Sequence, residues 1–168
     1  GGPLDRGFDE FYGWLISTED SNSPYYYPAL RFRNRELTVI PENEDSARLI
    51  HGTDLSISES IDFINRNKEN PFFLFLAFDT PHEPYIINSV EPYHDMPISD
   101  TAKRYAALIT HADKAIGQLM DYLEENNLRD NTLVIFTSDN GGAIQAPLDE
   151  LNCNAGLRGR KGLLYEGG

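Results

Sequence analysis

The sequence predicts an α/β fold built on a largely parallel sheet flanked by helices. Two apolar runs and one long amphipathic segment between them predict it. FFLFLAF (residues 72–78) and TLVIFTS (residues 132–138) have strand length and β-favouring composition. Continuous apolar runs of this kind suit central strands covered on both faces. Between them, roughly Asp100 to Asn126 sets Tyr105, Leu108, Ile109, Ala112, Ile116, Leu119 and Leu123 at the 3–4 spacing of one helix face. Strand, helix, strand is a βαβ unit, whose strands are expected to run parallel through a right-handed crossover.

The other elements follow in order. Residues 1–30 are rich in aromatics, Gly and Pro, including GFDEFYGW and SPYYYP, and read as irregular chain packed by large rings. The run Tyr25–Tyr26–Tyr27 fits loop packing better than a pocket wall. LRFRNRELTVI, Leu30 to Ile40, alternates around Asn34 and predicts a short hairpin. PENEDSARLIHG is polar and reads as loop. Thr53 and Asp54 offer a helix N-cap, followed by Ile57, Ile61 and Ile64 on one helical face. In the long helix, Lys103, Asp113, Lys114 and Glu124 fall off the apolar stripe, and NNLRDN ends it.

The 168 residues suffice for one domain with a sizeable core. Fourteen basic against 27 acidic residues give a formal charge of -13. That balance argues against nucleic acid, which needs a basic face, but not against a small anion held by a local cluster of donors. The single cysteine, Cys153, allows no internal disulfide. There is no CxxC, zinc spacing, HExxH, GxGxxG opening a helix or Walker lysine motif. The longest apolar run is too short to span a bilayer.

Parallel strands deliver their carboxyl ends to one sheet edge, where open α/β sheets bind ligands. After the first run come Asp79-Thr80-Pro81-His82-Glu83-Pro84; after the second come Asp139-Asn140-Gly141-Gly142. The second group is either a turn, for which Asp, Asn and Gly are suited, or a pair of oxygen ligands for a hard cation such as Ca²⁺ or Mg²⁺. His82, between stiffening prolines, is either solvated or placed to donate to an anion and exchange a proton. Glu83 is a weaker candidate at the same edge. Arg158, Arg160 and Lys161 form a basic, glycine-flanked cluster that either pairs with neighbouring carboxylates or meets an anion. His111 and Asp113 lie within the long helix, away from the strand ends, and read as structural.

Four segments together carry a resemblance. GFDEFYGW, PFFLFLAFDTPHEPY, NTLVIFTSDNGG and LRGRKGLLYEGG resemble, in order and spacing, the signature segments of the sulfatase family, within the alkaline-phosphatase-like superfamily. KRYAALITHADKAIGQLMDYLEENNL is similar to the family's connecting helix. The resemblance implies a doubly wound sheet and hydrolysis of a sulfate ester. It implies Asp139 and Asn140 as ligands of one Ca²⁺ (Mg²⁺ in some members). It implies His82 and Lys161 as catalytic, sulfate-binding residues, with Arg158 either supporting those residues from behind or fixing the loop. Arg160 stands where many members have Gly and carries no implied role.

The implied nucleophile is a formylglycine made in a C/S-x-P-S-R segment, which this sequence lacks. Cys153, in N-C-N-A-G, does not match it. The family's early Asp-Asp ligands and G-K-W-H segment are also absent. Residues 1–168 are therefore expected to be part of a sulfatase catalytic domain, with a sheet incomplete at its N-terminal side and no activity alone. The remainder of the parent domain is the expected partner, and a sulfated small molecule or glycan the expected substrate. An exported (periplasmic or extracellular) or lysosomal location is implied by the family. The alternatives are a phospho- or phosphonate-ester hydrolase of the same superfamily and a non-catalytic, anion-binding scaffold.

Overall fold

The computed structural model describes residues 1–15 and 26–168; Tyr25 lies outside the described residues. The described elements are β1 (Tyr12–Gly13), β2 (Leu30–Arg33), β3 (Glu36–Val39), α1 (Gly52–Asn67), α2 (Asp100–Glu125) and α3 (Leu148–Leu151), with short 3₁₀ turns between some of them.

The hairpin expected around Asn34 forms. β2 and β3 pair antiparallel, with Phe32 opposite Leu37 and Arg33 opposite Glu36. Asn34 takes φ 56°, a left-handed conformation that its short amide tolerates. Its backbone N–H donates to the Phe11 carbonyl (2.6 Å), while its side-chain oxygen accepts from the Phe11 N–H (2.9 Å). That exchange helps join β1 to the β2 edge, giving the order β1-β2-β3.

Both helices form as expected, with one change of cap. At α1 the N-cap is His51, whose ring Nδ1 accepts the Thr53 N–H at 3.1 Å, rather than Thr53 or Asp54. The imidazole wins because it is buried beside the helix start, where a ring nitrogen takes the place of the usual hydroxyl or carboxylate. At α2 the N-cap is Ser99, accepting from the Ala102 N–H. Ile57, Ser60 and Ile64 of α1 are buried, as are Ala102, Ala107, Leu108, Ala115 and Leu123 of α2, and the two helices pack together. The rest of the α2 stripe, including Ile109, Ile116 and Leu119, faces a cleft instead.

The two apolar runs depart from expectation in one respect. Neither joins a hydrogen-bonded ladder; the sheet among the described residues is the antiparallel β1-β2-β3. Residues 72–78 alternate between half-buried and exposed, the period of extended chain. Phe73 is 72% exposed, Leu133 86% and Phe136 81%. No backbone hydrogen bond of a ladder joins either run to another described segment. The expected parallel pair is thus not formed, and the sheet is incomplete. No helix among the described residues is long and apolar enough to cross a membrane.

Candidate active site

An open trough of about 3150 Å³ runs along the full length of both apolar runs, and its lining includes His82, Asp139, Asn140 and Lys161. Small-molecule pockets run roughly 300–1,000 Å³, so this trough is large enough to take chain as well as ligand.

After the 72–78 run, side chains from β2, α1 and the segment before β2 hold the loop that carries His82. Arg31 of β2, 4% exposed, pairs with the Asp79 carboxylate at 3.5 Å. Burial pushes the Asp79 carboxyl up, against the Arg31 guanidinium and His82, which pull it down. Burial likewise pushes Arg31 down, against the Asp79 charge. The Thr53 hydroxyl at the start of α1 bonds the Thr80 hydroxyl at 3.0 Å. The buried Tyr26 hydroxyl lies against the main-chain carbonyls of Asp79 (3.4 Å) and His82. The His82 N–H donates to the Asp79 carbonyl at 2.8 Å, closing the turn.

His82 itself is exposed, and its Nδ1 meets the Glu83 carbonyl at 2.7 Å. A carbonyl only accepts, so Nδ1 carries the proton. In the neutral ring Nε2 is then the lone-pair nitrogen, and in the imidazolium it is a second donor. Glu83 enters through this carbonyl.

At the second strand end, the Asn140 amide donates to the Asp139 carboxylate at 2.8 Å, and Ser138 Oγ donates to the Asn140 carbonyl. The Asn140 amide nitrogen, rather than its oxygen, thus faces the Asp139 carboxylate at an open edge. Carboxylate and amide oxygens suit a hard cation by type. Among the described residues no group of three or more His, Cys, Asp or Glu could hold a metal ion. By donor type alone the pair offers part of a coordination shell, not all of it.

Asn154, which the sequence did not single out, welds this turn to the basic segment. Its Oδ1 accepts from the Gly142 N–H (2.8 Å), and its Nδ2 donates to the carbonyls of Gly159 (2.9 Å) and Gly167 (3.2 Å). The Lys161 N–H donates to the Gly142 carbonyl, and the Gly141 N–H to the Gly168 carbonyl, each at 3.0 Å. A Cβ on Gly141 would stand 1.9 Å from the Gly167 carbonyl oxygen, so only glycine allows this approach. The structure thus ties the Lys161 backbone to the turn bearing Asp139 and Asn140. No local signal marked Asn154; its role rests on contacts to residues up to thirteen positions away.

The remaining candidates fall outside this group. Arg158 covers the Tyr165 ring at 3.8 Å and donates to its hydroxyl at 2.7 Å, which fixes the loop. Arg160 is exposed. Cys153 donates to the Pro147 carbonyl, and burial pushes its thiol up, away from a reactive thiolate. His111 lies against Asp54 (Nε2 to Oδ1, 2.9 Å) and the His51 ring (4.5 Å between centroids), and Asp113 is exposed on α2. Tyr26 and Tyr27 are buried with Leu108, as loop packing requires.

The family model described as Sulfatase matches residues 2–168. The uncharacterised sulfatase YdeN of Escherichia coli (strain K12) is 32% identical over 170 residues, covering 99% of this chain and 28% of that protein. The human N-acetylgalactosamine-6-sulfatase is 31% identical over 177 residues, covering 99% of this chain and 32% of that protein. The chain thus spans about a third or less of these relatives. Among solved structures, Ps i-CgsB in complex with k-i-k-neocarrahexaose superposes with a TM-score of 0.77 at 28% identity, covering 99% of this chain and 39% of that one. The yidJ sulfatase structure from Bacteroides fragilis matches at a TM-score of 0.67 and 24% identity over 86% of this chain and 35% of that one, a likeness of fold. These neighbours give the chain an α/β fold whose parallel sheet is incomplete in these residues. A family match over nearly every residue means that this chain belongs to the sulfatase family.

Proposed function

We propose that residues 1–168 are part of a catalytic domain that hydrolyses a sulfate ester. The observation that carries this reading is the sulfatase-family match over residues 2–168, and beside it the Gly142 carbonyl accepts the Lys161 N–H, which ties the Lys161 backbone to the turn bearing Asp139 and Asn140. In this reading Asp139 and Asn140 supply two oxygen ligands to a divalent cation, Ca²⁺ or Mg²⁺. When bound, that cation offsets negative charge on a sulfate oxygen. The Lys161 ammonium pairs with another sulfate oxygen, holding it in line and stabilising the charge that grows in transfer. Attack at sulfur breaks the bond to the alcohol oxygen, which needs a proton. His82 supplies it from Nε2 as imidazolium, while Nδ1 keeps its bond to the Glu83 carbonyl.

The attacking group, a formylglycine by family resemblance, comes in this reading from the remainder of the domain, as do further cation ligands. That remainder is the proposed partner for the exposed strands. The proposed substrate is a sulfated small molecule or glycan, and the proposed setting an exported or lysosomal one.

The test is turnover of an aryl sulfate and the matching aryl phosphate by the full-length parent, with Ca²⁺ and with chelator, beside the 168-residue chain alone. Sulfate cleavage by the parent is expected, lost on chelation. Asp139→Ala should lower kcat/KM by about 100-fold or more, the scale for removing one preorganised electrostatic contact. The short chain should be silent. Preference for phosphate would move the protein to the phosphoesterase reading. Cleavage by the short chain would overturn the assignment of the nucleophile to another segment.

A further inference from the structure

We infer that Tyr26 is a positioning residue for His82: its hydroxyl clamps the main chain on which that imidazole stands. The inference rests on the proposed role of His82 and names a residue that role depends on.

Tyr26 is 1% exposed. Its ring stacks on His51 with centroids 5.1 Å apart and planes 20° apart. Its carbonyl accepts the Gly52 N–H at 2.7 Å, so its backbone is fixed to the first residue of α1. From this rigid base the hydroxyl crosses to the end of the extended 72–78 run, where it contacts the carbonyls of Asp79 and His82. The next carbonyl along, that of Glu83, accepts the His82 Nδ1–H. Two successive carbonyls of one loop are therefore engaged, His82's by the tyrosine and Glu83's by the imidazole. A shift of the first peptide moves the second, and with it the direction of Nε2.

The ring alone does not require a tyrosine. Phenylalanine would fill the same volume against His51, Tyr27 and Leu108. What distinguishes tyrosine is a donor at the far end, directed at loop carbonyls that would otherwise lose a partner in a part-buried place. Tyr27 provides an internal comparison. Its hydroxyl accepts from the Asn88 N–H at 3.1 Å, on the same loop but six residues beyond His82.

The experiment uses the full-length parent with Tyr26→Phe, Tyr27→Phe, His82→Ala and the Tyr26→Phe/His82→Ala double variant. Turnover of an aryl sulfate and hydrogen exchange of residues 79–84 are both read. Tyr26→Phe should lower kcat about 10-fold with KM within about twofold, because misplacement by a fraction of an ångström acts on the chemical step. It should speed exchange at 79–84, and it should cost nothing further in the His82→Ala background. Tyr27→Phe should leave kcat within about twofold. A Tyr26→Phe variant with unchanged kcat, or with unchanged exchange at 79–84, beside an impaired His82→Ala, overturns the inference and leaves His82 standing. A His82→Ala variant as active as wild type overturns the role of His82, and the inference falls with it.

Discussion

His51 shows how one side chain can set the acid limit of this fold. It is 3% exposed and caps α1 through an unprotonated Nδ1. Protonation would put a charge in that site and remove the acceptor. Burial, then the neighbouring His111, push its pKa down to about 4, with Arg31 adding to the effect and Asp54 opposing it. The unfolded chain, near 6.5, therefore binds the extra proton first as pH falls. Stability from this group is complete above about pH 6.5 and is lost between 6.5 and 4, roughly 3 kcal/mol in all at about 1.4 kcal/mol per unit. Denaturant midpoints of the full-length parent at pH 7 and pH 4.5 check this. His51→Asn keeps a capping side chain, so it should lower stability at pH 7 through lost packing yet flatten the fall between the two pH values.

At the scale of elements, the turn after the second strand and the basic segment behave as one unit, with Asn154 as the joint. Removing that amide leaves the Gly142 N–H and the carbonyls of Gly159 and Gly167 without this partner. Asn154→Ala should therefore cost about 1–3 kcal/mol. On the proposed cation ligation it should also weaken Ca²⁺ binding by about 10-fold or more, as loss of supporting contacts to ligands does elsewhere. Calorimetric titration of the full-length parent reads the second effect. An unchanged Ca²⁺ affinity beside a reduced stability would confine Asn154 to the loop. The loop after the first strand is built differently: Arg31, Thr53 and Tyr26 reach it from β2, α1 and the segment before β2.

The whole molecule carries an open debt of apolar surface. Phe73, Phe75, Leu133, Ile135 and Phe136 are each at least 70% exposed. At about 2 kcal/mol for each large side chain left uncovered, the forfeited burial is on the order of 10 kcal/mol. That is comparable with the net stability of a domain, about 5–15 kcal/mol. Two extended runs with unpaired backbone also invite strand addition. The 168-residue chain alone should thus bind a hydrophobic dye such as ANS strongly and associate at micromolar concentration, despite a charge of -13 that opposes association. The full-length parent should do neither. Dye fluorescence and light scattering of the two, side by side, make the comparison; a monomeric, dye-silent short chain would count against the proposed partner segment.

Several features were legible in the residues because they depend on near neighbours. The period of α1 and α2, the left-handed Asn34 of the hairpin and the two-sided apolarity of residues 72–78 and 132–138 are all local patterns. The motif residues His82, Asp139, Asn140 and Lys161 were legible by chemical type and by their place after strands or between glycines. Tertiary structure alone decided what holds them. The cap of α1 became an imidazole because His51 is buried against Tyr26 and His111. Asp79 is held by Arg31, 48 positions earlier, and Asn154 bridges two loops; neither contact leaves a periodic trace in the sequence. Pairing of the two central runs was not decided by their own residues either. A strand's composition sets its wish to be covered, whereas its hydrogen bonds belong jointly to it and to a neighbour.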